Sequence, residues 1–213
     1  GKYELFPRQF LTQITTDQNL LSKLHLMPTS GTRHYKNEAG EWVEQYAENI
    51  DPADRQRIVG ALTEGFIEAG YSVDGTYGKI VEDRESQVSL STLGQEVVSQ
   101  LGEAGIKMKE EWDPDGSKKK RLVSLIAPKI PEFEVRAAGF TTIYVTKKGI
   151  DKAYGMTKLM EVTGSSKEEI LYIGDSLKPG GNDYAVKEFG IDCIEVRGWE
   201  DTAYVIEGIL GVS

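Results

Sequence analysis

The 213 residues carry a net charge of −9, with 39% hydrophobic and 28% charged residues, an ordinary balance for a globular chain. The negative charge argues against non-specific nucleic-acid binding, and the single cysteine, Cys193, excludes an internal disulfide framework. No apolar run is long enough to span a membrane, and the start GKYELFPRQF lacks the basic-then-apolar pattern of a signal peptide. A cytoplasmic protein with neither a membrane nor a nucleic-acid partner is expected.

In chain order, residues 2–24 read as partly helical, with Phe6, Phe10 and Ile14 at spacings of four. Leu24 to Met27 is a short strand ended by Pro28 and the turn Thr29-Ser30-Gly31, so helix plus strand reads as one unit of a parallel sheet. Glu41 to Ala47 alternates like a half-buried strand. Asp51-Pro52 opens a helix with an N-cap and a first-turn proline; Ile58, Leu62, Phe66 and Ile67 keep helical spacing and Gly70 closes it. Lys79 to Asp83 and Gln87 to Ser91 read as strands. Val97 to Met108 is loosely helical, interrupted by Gly102 and Gly105. A helix follows from Ser117 to Ala127, its basic run Lys118-Lys119-Lys120-Arg121 forming a solvated first turn. Phe133 to Arg136 and Thr141 to Thr146 are strands, so residues 37–146 read as an α+β unit. His25 and His34 stand too far from other ligand types to suggest a metal site, and each reads as structural or exposed.

The stretch ILYIGDSLKPGGNDY, residues 170–184, organises the remainder. Its apolar start fits a buried parallel strand. Gly174-Asp175 then puts a carboxylate at the strand's carboxyl end, where open α/β sheets place their ligands. A Pro-Gly-Gly turn leads back to Asn182-Asp183. Either polar pair alone would be an ordinary solvated turn. With the strand before them and Lys152 upstream, they suit a divalent cation, which prefers carboxylate oxygen, and the phosphate beside it. Lys152 to Thr163 is a helix with Met156, Leu159, Met160 and Val162 as its stripe, and Ser165 or Ser166 caps a short helix. Ala185 to Phe189 is helical, Ile191 to Val196 a strand holding a buried Cys193, and Thr202 to Leu210 a final helix. This alternation implies a parallel sheet.

Gly174-Asp175 with Gly181-Asn182-Asp183 resembles the fourth motif of the haloacid dehalogenase superfamily, and Lys152 resembles its third-motif lysine. GDSLKPGGNDY is similar to the phosphomannomutase-like sugar phosphatases of subfamily IIB. Ile80 to Gln95 resembles that group's cap, and Leu26 to Tyr35 the segment before it. The resemblance implies an α/β fold: a Rossmannoid parallel-sheet core, residues 1–36 and 147–213, with an inserted α+β cap, residues 37–146. It also implies that Mg²⁺ is held by Asp175 and Asp183. Lys152 would offset phosphoryl charge, Asp183 would hold Lys152, and Gly181 and Asn182 would shape the loop or meet phosphate. Arg84 corresponds to an arginine that similar mutases use on the far end of the substrate; equally, it is a strand arginine paired with Glu82 or Glu85.

Ser30-Gly31-Thr32-Arg33 is set aside as the second motif, because in that subgroup this motif is Ser-Gly-Gly before a helix like Lys2 to Leu11. On that register Gly1 stands at its end. The first motif, Asp-x-Asp on a strand, is also missing: Asp113-Pro114-Asp115 falls in a turn. The chain is therefore expected to lack an N-terminal segment bearing the nucleophile. Gln95 replaces a second mutase arginine and Tyr144 a common aspartate. These departures favour a phosphohydrolase over a mutase, and the resemblance implies a phosphorylated sugar as substrate and an aspartyl-phosphate intermediate. The alternatives are a phosphomannomutase and a non-catalytic module that binds sugar phosphate or forms a homodimer through the cap.

Overall fold

The computed structural model describes Tyr3 and residues 6–212. The chain divides into two units, Gly1–Ile150 and Asp151–Ser213. The expected helix start at Lys2, Glu4 and Leu5 and the motif placement of Gly1 lie outside the described residues.

In the first unit, β1 (His25–Leu26), β2 (Arg33–Glu38) and β3 (Glu41–Ala47) form an antiparallel sheet in that order. Among the described residues β1 therefore pairs only antiparallel and not in the expected parallel sheet, and the expected boundary between residues 36 and 37 falls inside β2. The cause is the two-residue connection Ala39-Gly40, with φ of 52° and 95°. Two left-handed residues twist with the strands they join and hold a tight hairpin. Before β1, Pro7–Leu11 is a π-helical turn and Thr12–Ile14 continues it. Phe10 and Ile14 are exposed, so their spacing gives no buried stripe here.

His25 and His34 are not isolated: Nδ1 of one lies 2.8 Å from Nε2 of the other, with rings stacked 5.0 Å apart. His34 is buried against Tyr46. Burial, then Lys36, lowers the His25 pKa; burial, then His25 and Lys36, lowers that of His34. A histidine whose folded pKa is depressed binds fewer protons folded than unfolded, so its stability contribution is lost as pH falls below about 6.5. The urea midpoint should be lower at pH 5.5 than at pH 7.5, and that difference should shrink in the double variant His25→Phe, His34→Phe.

The second sheet is antiparallel, in the order β4 (Val81–Asp83), β5 (Val88–Ser91), β7 (Thr142–Lys147), β6 (Phe133–Ala138). One face packs on α1 (Pro52–Glu68) and α4 (Ser117–Ile126); α2 (Val97–Leu101) and α3 (Glu103–Trp112) intervene in sequence. Asp51 caps α1 by accepting from the Ala53 amide at 2.9 Å. Asp113 caps α4 by accepting from Lys118 and Lys119, leaving the basic run at the helix start. Ile58, Leu62 and Phe66 from α1, Leu122 and Ile126 from α4, and Val88, Leu90, Ile143 and Val145 from the sheet form the core. Each such side chain contributes about 2 kcal/mol by leaving water. Only Gly102, at φ 58°, breaks the helix expected over residues 97–108; Gly105 lies inside α3. This is the α+β arrangement expected for the cap.

In the second unit, α5 (Lys152–Thr163) leads to β8 (Leu171–Gly174), α6 (Tyr184–Glu188), β9 (Asp192–Glu195) and α7 (Trp199–Val212). β8 and β9 pair in parallel, Leu171 opposite Asp192 through Gly174 opposite Glu195. Ser166 and Glu169 make a reciprocal capping box before β8. Cys193 is half-buried, its thiol directed at the Ile191 carbonyl. No helix among the described residues is long and apolar enough to cross a membrane.

Candidate active site

β8 ends at Gly174, and Asp175 stands exposed just beyond it. The loop from Ser176 then returns to Asp183 at the head of α6. Backbone bonds close it: the Asp183 amide donates to the Ser176 carbonyl at 3.2 Å, and the Gly181 amide to the Lys178 carbonyl at 2.8 Å. A Cβ on Gly181 would sit 2.1 Å from the Ser176 oxygen, so the close approach requires glycine there. Gly181→Ala must move backbone and is expected to lower the urea midpoint by the equivalent of about 1–3 kcal/mol.

Asp183 is buried and accepts from three directions. Lys152, in the first turn of α5, pairs with its Oδ1. The Tyr172 hydroxyl donates to the same oxygen at 2.6 Å, and the Ser176 amide donates to Oδ2 at 3.0 Å. Lys152 is aimed there because Asp151 caps α5, accepting from the Tyr154 amide at 3.0 Å. Burial pushes the Asp183 carboxyl up, but the bonds from Lys152 and Tyr172 outweigh it and hold it below the ordinary value. Burial and the bond to Asp183 push the Tyr172 phenol well above its own. The cluster is thus a carboxylate, paired with Lys152, beside a neutral phenol.

A cleft of about 250 Å³ opens over this cluster, lined by Lys152, Asp175, Asp183, Gly198, Trp199 and Thr202 among others. The donor chemistry separates the two aspartates as cation ligands. Asp175 presents an exposed carboxylate, as Mg²⁺ requires when it keeps most of its waters. Both Asp183 oxygens already accept from other donors, and an ammonium on Oδ1 opposes a cation there. Among the described residues no group of three or more His, Cys, Asp or Glu is placed to hold a metal. Asp175 fits as one ligand of a shell completed by water and phosphate.

The structure brings together Lys152, Asp175 and Asp183, with Gly181 and the half-buried Asn182 in the same loop. Arg84 lies in the other unit, where it donates to Glu82 at 2.7 and 2.9 Å. Of the two readings open for Arg84, this is the pairing with a strand carboxylate. Sequence reasoning missed Tyr172, although it lies two residues before Gly174 and so on the same strand face.

In the solved structure of N-terminally truncated Plasmodium falciparum IMP-nucleotidase, 91% of this chain and 51% of that one align, at 16% identity and TM-score 0.57. In the IMP-bound truncated form the values are 90%, 49%, 18% and 0.55. A subclass IIB sugar phosphatase of the haloacid dehalogenase superfamily aligns over 86% of this chain and 63% of its own, at 18% identity and TM-score 0.47. The chain spans about half the length of the IMP-nucleotidase, and at these identities the likeness concerns the fold. No curated protein matches the chain. Residues 29–185 match the family described as haloacid dehalogenase-like hydrolases, and the chain belongs to that family.

Proposed function

We propose that this chain supplies the cation-holding and charge-neutralising part, together with the cap, of a cytoplasmic Mg²⁺-dependent phosphohydrolase of sugar phosphates. The observation that carries this reading is the exposed Asp175 at a parallel-strand tip beside the Lys152–Asp183 pair. Phosphoryl transfer asks a protein mainly for positioning and charge neutralisation. Asp175 would hold the cation, which when bound neutralises charge on the phosphoryl oxygens. Lys152 would face the same oxygens, and Asp183, fixed by Tyr172 and Ser176, would keep the ammonium in place. The loop containing Gly181 and Asn182 would close around the phosphate. The phosphate-accepting aspartate would come from outside these 213 residues.

Two observations favour hydrolysis over mutase chemistry, which must bind phosphate at either end of the substrate. The Gln95 side chain donates to the Ile80 and Ser89 carbonyls at 3.2 and 3.5 Å, and Arg84 is committed to Glu82. The test is release of inorganic phosphate by the protein as encoded, from hexose phosphates and from IMP, with Mg²⁺ and with chelator. Release from hexose phosphates that chelator stops is expected. No release from any hexose phosphate, or release from IMP alone, contradicts the sugar-phosphate reading.

A further inference from the structure

β8 and β9 end side by side. The Val196 amide donates to the Gly174 carbonyl at 3.0 Å, so the chain leaves β9 level with Asp175. Three residues on, Trp199 opens α7 and lines the same cleft as Lys152 and Asp175. A clasp holds this turn. The Arg197 amide and guanidinium both donate to the Asp201 carboxylate, at 2.9, 2.9 and 3.0 Å, and the Thr202 amide donates to the Gly198 carbonyl at 3.3 Å. The fold of this unit makes no use of the indole. Trp199 is 77% exposed, more than any other large apolar side chain among the described residues, and among them its indole has no ring contact and no hydrogen bond. A tryptophan left in water forgoes the gain its ring would make on burial. Ile206 and Leu210 share its helix face and are exposed too, but neither lines the cleft.

The size of the cleft decides what meets the indole. Its 250 Å³ is below the roughly 300 Å³ at which pockets begin to enclose a small-molecule ligand. With phosphate and cation inside, the group esterified to that phosphate must project past the rim, where Trp199 stands. An indole offers a flat apolar face with one N–H donor at its edge. A hexose ring matches both: its axial C–H bonds make a face apolar, and its hydroxyls lie around the edge.

We propose that Trp199 is a specificity-determining residue whose indole stacks on the ring of the phosphorylated sugar while Lys152 and Asp175 engage its phosphate end. This rests on the sugar-phosphate reading of the cleft. The test follows the indole N–H signals of Trp42, Trp112 and Trp199 in ¹H–¹⁵N NMR spectra of this chain with Mg²⁺, Trp199→Phe identifying the third. Glucose 6-phosphate or mannose 6-phosphate should shift the Trp199 signal saturably, and inorganic phosphate should move it far less. In the encoded protein, Trp199→Ala should lower kcat/KM for the hexose phosphate about tenfold, the worth of one aromatic contact. The loss should fall on KM, because a contact made equally in ground and transition states changes binding alone. Trp199→Phe should recover most of it, and the inhibition constant of inorganic phosphate should stay as it was. A Trp199 that only packs the helix would instead lower the urea midpoint and weaken hexose phosphate and inorganic phosphate together. That result, an unmoved Trp199 signal with both hexose phosphates, or a shift with IMP alone, overturns the proposal. Phosphate release with an unchanged KM in Trp199→Ala would sink this inference alone. A hexose-phosphate shift of the Trp199 signal without phosphate release by the encoded protein would sink the hydrolase reading alone.

Discussion

Asp183→Asn should lower the stability of the second unit by about 2–4 kcal/mol, read as a drop in urea midpoint with an unchanged m-value. Three donors converge on this buried carboxylate: the Lys152 ammonium, the Tyr172 hydroxyl and the Ser176 amide. An amide of the same shape keeps one acceptor oxygen and places an NH₂ against a remaining donor. Lys152 is about one-third exposed, so water screens part of its loss, which holds the effect below that of a fully buried pair. A change under about 0.5 kcal/mol would mean that the three contacts do not persist in solution.

Asp175→Asn should show the opposite pattern. Asp175 is exposed, so its substitution should leave stability within about 0.5 kcal/mol. Mg²⁺-dependent phosphate release by the encoded protein should fall by about 100-fold or more, as when one transition-state charge stabiliser is removed. The two aspartates thereby separate. Asp183 carries structure and positions Lys152, whereas Asp175 carries charge at the open end of the cleft. Equal stability losses in the two variants would remove that distinction.

Much of the second unit was legible because local signals there agree with tertiary structure. The Ile170–Ile173 run reads as a strand, and β8 occupies all but its first residue, although the burial expected of it is not met: Leu171 is exposed and Tyr172 and Ile173 are half-buried. The Asp151 cap and Gly164 bound α5 over the residues expected. Where signals were weak or misleading, the reasons are physical. β2 reads Arg-His-Tyr-Lys-Asn-Glu, without apolar alternation, and it forms because the Ala39-Gly40 turn folds it onto β3. The spacing of Phe6, Phe10 and Ile14 speaks to helical period only, and Phe10 and Ile14 are exposed. The His25–His34 contact spans a turn whose Thr29, Ser30 and Gly31 all have positive φ, a path no pattern of residue types announces.

The candidate site was legible to the extent that it is contiguous. Gly174-Asp175 and Gly181-Asn182-Asp183 share one loop, and Lys152 opens the helix before it. The role of Tyr172 was hidden because an aromatic residue in an apolar strand reads as packing; its hydroxyl acquires meaning only once Asp183 is folded beneath it. Arg84 was legible in one of its two readings: the pairing with Glu82, two positions away in β4, is the one present, with a further bond to Gln87 at 3.3 Å.

The most direct measurement is paramagnetic mapping of the cation site on this chain, with Mn²⁺ standing in for Mg²⁺ because both take hard oxygen ligands. Mn²⁺ should broaden the amides of Gly174, Asp175 and Ser176 first, an effect that Mg²⁺ competes away and Asp175→Asn abolishes. Broadening that starts elsewhere, or that persists in Asp175→Asn, would contradict the assignment of this cleft as the place where cation and phosphate meet.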